Sequence, residues 1–381
     1  MSADLVVFGE DWGEHPSSTQ HLVQRLAVDR RVVWINSIGM RRPRLTARDL
    51  GRLVGKARNF AGRGRTPADP QPPGNAKPLP PGLTVHSVAA IPAPGSRLAY
   101  ALNRRLLARQ VRRLLDERRI ARPVLWTSLP TALPAVGTLD ETAVVYYCGD
   151  DFGALAGVDH APVQDMERAL VTSADLVLAA SDVLATRFPA GKTLVVPHGA
   201  DISLFATPAA RAPELPADRP TAGFYGSLST WIDVDLLAAV AARMPEWRFT
   251  FVGPVQTDVG RLVALPNVDL LGALPHARLP GFAQHWTVSL IPFRSCPQID
   301  ACNPLKLREY LAAGAPIATT DFPALGPYRD LVEIGSDAAS FETAIRQAAR
   351  DTARNAERSA RVAGETWDRR AADVAAAIDA L

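Results

Sequence analysis

The chain has 381 residues, 47% of them hydrophobic, and a formal net charge of +3. That length exceeds one ordinary core, so two domains of roughly 150 to 200 residues are expected. No apolar run nears the roughly 20 residues of a membrane span and no basic-then-apolar leader opens the chain, so the expectation is cytosolic. The cysteines Cys148, Cys296 and Cys302 form no disulfide framework and lack the histidines of a zinc site.

Short β-branched runs alternate with amphipathic stretches, the pattern of parallel sheets flanked by helices. The first strand, 5–8, leads into Gly9-Glu10-Asp11-Trp12-Gly13-Glu14-His15, and the helix from about Ser18 carries His21. Trp12 and His15 have the bulk to stack on a sugar, although an ordinary strand-to-helix turn explains the two glycines as well. Further strands are expected at 32–35, 124–127, 143–147, 176–180 and 193–196. The stretch 62–82, rich in Pro, Gly and Arg, reads as a loop.

Basic residues gather in the first half. Residues 41–65 hold nine Lys or Arg against one acid, and 97–122 nine against two. Such patches suit anionic lipid surfaces or phosphorylated acceptors, and equally a solvated arginine-rich surface. Aromatic side chains are sparse among them and no nucleic-acid motif appears, so nucleic acid is not expected as a partner. Leucines interleave with the cations of 44–60, which fits an interfacial helix or a surface helix packed on its own domain.

The strand at 143–147 runs into Cys148-Gly149-Asp150-Asp151. Adjacent carboxylates repel, and a raised pKa on one suits proton exchange with an acceptor hydroxyl, whereas Asp151 can instead cap the next helix. The turn Pro197-His198-Gly199-Ala200-Asp201 precedes Phe205, with Gly199 allowing the turn, Asp201 locking it and Phe205 anchoring it. A proline-rich stretch, 208–220, opens a second strand series at 222–225, 249–252, 268–271, 288–291 and 317–319. Between these lie Gly226-Ser227-Leu228-Ser229-Thr230-Trp231, the Asp233-Val234-Asp235 helix start, and Arg294 after the fourth strand.

Asn303-Pro304-Leu305-Lys306-Leu307-Arg308-Glu309-Tyr310 reads as a helix N-terminus, with Asn303 capping, Pro304 in the first turn and Gly314 ending the helix. Amides at that helix start would face a phosphate, and Lys306 and Glu309, three residues apart, share a face.

On these motifs the chain resembles the retaining GT-B glycosyltransferases of the "glycosyl transferase group 1" (family 4-like) type, and its polysaccharide and cell-envelope subset. The family signature pairs two glutamates eight residues apart. Glu309 matches the second, which the resemblance assigns to the donor ribose; Ala301 stands at the first, with Asp300 one residue out of register. The Pro-His-Gly-Ala-Asp segment resembles the family's domain junction. Where the family carries an Arg and a Lys for the donor diphosphate, this chain has Ser227 and Ile232, leaving Arg294 and Lys306 as replacements.

The resemblance implies an α/β, GT-B fold: two doubly wound Rossmann-like parallel-sheet domains facing a cleft, 1–205 binding the acceptor and 206–362 the donor. A C-terminal helix, 363–381, crosses back to the first domain, with Trp367 pinning it. The implied activity is a transferase moving a sugar from a nucleotide-sugar to a glycan, lipid-linked or small-molecule acceptor, retaining and without a metal or other cofactor. Donor-binding residues would be Gly226, Ser227, Trp231, Arg294, Asn303, Pro304, Leu305, Lys306 and Glu309. Trp12, Gly13 and His21 would meet the acceptor, and Asp150, Asp151 and His15 the chemistry. The chain would work in the cytoplasm, with the basic first domain able to meet an anionic inner membrane face. A catalytically silent nucleotide-sugar sensor or scaffold, or an epimerase on the same fold, is the alternative.

Overall fold

The computed structural model describes residues 2–13, 17–38, 79–153 and 160–381. His15, the basic stretch 41–65 and all but the end of 62–82 lie outside the described residues. The chain divides into two compact units, Met1–Val196 with Ala371–Leu381, and Pro197–Arg370.

The first unit is built on seven strands: β1 (Leu5–Phe8), β2 (Val32–Ile35), β3 (Leu83–His86), β4 (Val124–Thr127), β5 (Ala143–Cys148), β6 (Leu176–Ala179) and β7 (Thr193–Val195). Their order is β3-β2-β1-β4-β5-β6-β7, every neighbouring pair parallel. All four residues of each of β1, β2 and β4 are buried, which is why these strands read as continuous apolar runs rather than alternating ones. Leu5 pairs with Val32 on one side and Val124 on the other, so the strand order reverses direction at β1.

The second unit carries β8 (Thr221–Tyr225), β9 (Arg248–Val252), β10 (Val268–Leu270), β11 (Val288–Ile291), β12 (Ile317–Thr319) and β13 (Glu333–Ile334) in the order β10-β9-β8-β11-β12-β13, again parallel throughout. Phe224, Phe249, Phe251, Phe282, Tyr310 and Phe341 are fully buried in its core. The order reverses between β8 and β11, and an open parallel sheet binds ligands outside its carboxyl edge at such a point. The residues following these two strands, Gly226 to Ser229 and Pro292 to Arg294, therefore frame the place where a ligand is expected.

The turn after β7 packs closely. A Cβ on Gly199 would stand 2.6 Å from the backbone nitrogen of Trp367, so glycine is needed for the approach of two backbones rather than for an unusual turn. The Ala200 amide donates to the Glu365 carbonyl beside it, at 2.9 Å. Asp201 makes no side-chain cap on the helix Ile202–Ala206; its carbonyl accepts the Leu204 and Phe205 amides instead. Phe205 anchors the turn, fully buried and stacked on Tyr225.

Candidate functional site

Lys306 stands on the second residue of the helix Leu305–Ala312, beside the switch point of the second unit. Its ammonium lies over the rings of Phe224, 5.3 Å away at the end of β8, and Phe293, 5.4 Å away just after β11. A Cβ built on Gly226 would come within 3.2 Å of the lysine Cε, so the side chain runs along the bare backbone of the loop after β8. Among the described residues Lys306 makes no hydrogen bond or ion pair. Burial lowers its pKa, and the nearby Glu309 carboxylate opposes that shift. A half-buried cation held by two aromatic faces, with no ion pair among the described residues, has donors left for an anion from outside.

The surroundings fit an anionic ligand. No side chain caps the helix Leu305–Ala312, so its first amides are unspent and its dipole adds positive potential. In the loop after β8 the buried hydroxyls of Ser227 and Ser229 have no partner among the described residues, although unmade hydrogen bonds at buried groups are costly. Gly226 and Gly253 adopt φ of +131° and +147°, and a Cβ on Gly253 would stand 2.1 Å from the Gly226 carbonyl oxygen, so this loop folds against the turn after β9 only with glycine there.

Glu309, one turn further along the same helix, is buried and fixed by two partners. The Tyr225 hydroxyl donates to Oε2 at 2.6 Å and the His276 ring nitrogen Nε2 sits 3.1 Å from Oε1. The bond to Glu309 raises the His276 pKa above its ordinary value. The Tyr225 amide in turn donates to the Tyr310 hydroxyl at 3.0 Å, so the carboxylate is tied through Tyr225 to β8 and its own helix. Neither Tyr225 nor His276 was singled out from sequence. Tyr225 closes a strand and reads as core, and His276 is thirty-three residues from its partner with no motif around it.

Several sequence expectations need correction. Asn303 does not cap the helix: Pro304 occupies the N-cap position and the Asn303 carboxamide oxygen accepts from the guanidinium of buried Arg308, which also donates to Glu365 at 2.5 Å. A buried cation needs acceptors more than an exposed helix end needs a cap. Arg294 is already engaged by carboxylates. It donates to Asp235 at 3.0 Å, lies 3.8 Å from Asp233 and reaches the Ile232 carbonyl at 3.3 Å. Asp233 caps the helix Val234–Arg243 through the Leu236 amide, as its position implied. Trp231 packs against the hydrophobic core, and its carbonyl accepts the Arg294 amide. Ile232 and Ala301 are buried and, like Ser227, uncharged, so the family's cation and first glutamate positions themselves carry no charge here, while Asp300 beside them is exposed.

In the first unit, Asp150 follows β5 and Glu10 follows β1, near enough for the Glu10 charge to act on Asp150. Desolvation by the surrounding protein, with repulsion from Glu10 and then Asp151, raises the Asp150 pKa to about 6, although the residue is open to solvent. Glu10, raised mainly by burial, accepts from the Ser17 hydroxyl at 2.9 Å. Asp151 plays a different part from its neighbour: it pairs with Arg187 at 2.6 Å and accepts the Gly153 amide at 2.8 Å, so it neither caps a helix nor stands free. Among the described residues Asp150 makes no ion pair or hydrogen bond through its carboxylate.

Trp12 lies half-buried, edge-on to Trp34 at 4.8 Å, its amide donating to Asn36 at 3.0 Å; Gly13 takes φ +82°. Gly9 is a packing glycine, since a Cβ there would overlap the Trp34 ring at 2.3 Å. His21 lies on the helix Ser18–Leu26, one turn after the capping Ser17. His15 falls outside the described residues. Sequence reasoning missed Glu10, which looked like one more polar loop residue until β5 set Asp150 beside it.

No protein-family model matches the sequence. The chain is 28% identical over 223 residues to a Bacillus subtilis (strain 168) protein, TuaH, named for glycosyltransfer in teichuronic acid biosynthesis; the match covers 52% of this chain and 56% of that protein, a little over half the relative's length. Among solved structures, sucrose-phosphate synthase from Thermosynechococcus elongatus superposes with a TM-score of 0.68 at 17% identity, covering 98% of this chain and 97% of that one. HepE of Anabaena in complex with UDP-glucose superposes at 0.65 with 15% identity, each chain covered completely. The chain has the GT-B fold of these glycosyltransferases, in keeping with the group 1 resemblance of its motifs.

Proposed function

We propose that the protein transfers a sugar from a nucleoside diphosphate sugar, with a uridine nucleotide the first choice, to a glycan, lipid-linked or small-molecule acceptor. The observation that carries this reading is Lys306, a half-buried ammonium with no anion among the described residues, set against bare Gly226 backbone at an uncapped helix N-terminus. Departure of a nucleoside diphosphate needs positive charge on the leaving group, and Lys306 with the helix amides supplies it where the family's own cations are replaced. Glu309, oriented by Tyr225 and His276, would accept the ribose hydroxyls, and the Ser227 and Ser229 hydroxyls would gain phosphate or sugar partners. The uridine preference is borrowed from HepE, whose structure holds UDP-glucose.

In this reading Asp150 serves the acceptor side, where a pKa of about 6 suits proton exchange with a hydroxyl. Retention at the anomeric carbon and independence from metal are part of the proposal, as are work in the cytoplasm and contact with an anionic membrane face. The test is a thermal-shift screen of UDP, GDP, dTDP and ADP with and without magnesium, comparing wild type with Glu309→Ala. A ligand at a hundredfold its dissociation constant stabilises by roughly 2.7 kcal/mol, a readable shift. Stabilisation of the wild type alone by one diphosphate, without magnesium, is expected; no response to any would sink the donor assignment. Binding of a nucleotide-sugar without turnover on any acceptor would favour the silent sensor.

A further inference from the structure

The first unit contains a cavity of about 240 Å³ that the nucleotide reading does not use. Ile91, Pro94, Pro134 and Met166 give it an apolar wall. Its polar groups are largely spent. Asn103 accepts the Ile91 amide at 2.7 Å and donates to the Ile91 carbonyl at 3.0 Å, and the Ser96 hydroxyl accepts the Ala99 amide at the start of the helix Arg97–Glu117. Three polar groups remain, the Tyr100 hydroxyl among them. The Thr131 hydroxyl, on a residue 7% exposed, has no partner, and the exposed Arg97 guanidinium forms no ion pair or hydrogen bond among the described residues.

The lining is mostly apolar, so an apolar occupant displaces water that makes few hydrogen bonds there. The volume exceeds the roughly 150 Å³ of a dry cavity that admits benzene, so it accommodates a chain end on the order of eight carbons. We propose that this cavity binds the acyl end of a single amphiphile with an acidic head group: the chain fills the apolar wall, its ester carbonyl accepts from Thr131, and its phosphate meets Arg97. The helix whose first turn carries Arg97 also exposes Leu98, Leu102 and Leu106, apolar surface suited to a ligand with more chain than the cavity holds. The site stands independently of the nucleotide reading.

Three probes test it by calorimetry on the full chain: octanoylglycerol phosphate, its ether analogue and uncharged octanoylglycerol. Octanoylglycerol phosphate should bind wild type about tenfold more tightly than octanoylglycerol, a preference lost in Arg97→Gln. It should also bind several-fold more tightly than the ether, a difference lost in Thr131→Val. Met166→Trp, filling the space, should abolish binding of all three while UDP binding persists. Should that variant not fold, methyl resonances of Ile91 and Met166 in the wild type must shift on adding octanoylglycerol phosphate. Absence of binding, unmoved methyl resonances, or affinities indifferent to Arg97→Gln and Thr131→Val would overturn the proposal, as would binding only to anionic vesicles and not to the monomeric probe.

Discussion

Replacing Lys306 by methionine separates a ligand-binding cation from a structural one. Methionine keeps the unbranched apolar stem against Phe224 and Phe293 and removes only the charge. In the free protein the loss is two cation–π contacts of roughly 0.5 to 1 kcal/mol each, offset by relief of the ammonium's desolvation, so stability should change by less than about 1 kcal/mol. In the complex the loss is a charge-assisted hydrogen bond to phosphate, on the order of 1.5 to 3 kcal/mol. That corresponds to roughly a 10- to 150-fold rise in the Kd for UDP. Calorimetric titration with UDP and uridine would read it, alongside the melting temperature of the free protein. Uridine, lacking the diphosphate, should bind the variant and the wild type alike. A UDP affinity within twofold of wild type would refute the assignment, and so would a free protein destabilised by several kcal/mol.

The Glu309 network makes further predictions. Tyr225→Phe removes the 2.6 Å donor to a buried carboxylate and should cost roughly 1 to 3 kcal/mol in chemical denaturation. His276 should titrate above its ordinary value and return toward it in Glu309→Gln, read by NMR of the ring protons. Because the folded pKa is the higher one, the stability this pair contributes is fully present below about pH 6.5, the unfolded value, and lost as pH rises through the folded pKa. Asp150 has the opposite consequence. Its folded pKa of about 6 lies above the unfolded value, so its charge destabilises at neutral pH, and Asp150→Asn should raise the melting temperature at pH 7 with the gain vanishing below about pH 4. Gly253→Ala forces a Cβ to 2.1 Å from the Gly226 carbonyl at φ +147° and should destabilise by roughly 2 kcal/mol or more. Gly272→Ala, at φ +70° in open space, should cost only about 1 kcal/mol, and equal losses would refute the packing argument.

The central strands were legible in the sequence because they are buried on both faces. Residues 5–8, 32–35, 124–127, 288–291 and 317–319 are read with the bounds the structure gives them. The strands that escaped, β3 and β13, lie at sheet edges: β3 alternates buried with half-buried residues, and β13 has only two. The cation and carboxylate of the candidate site were also readable, since Lys306 and Glu309 occupy one helix turn whose spacing is fixed by local geometry. What the tertiary structure alone decided was which polar groups are already engaged. Arg294 looked equivalent to Lys306 until the helix at Val234–Arg243 set Asp233 and Asp235 beside it. Asp150 and Asp151 are neighbours in sequence, and only the packing of Arg187 against one and Glu10 near the other separates a paired carboxylate from one whose pKa is raised. Periodicity and capping act over a few residues and are written in the sequence; ion pairing and desolvation depend on groups that only folding brings together.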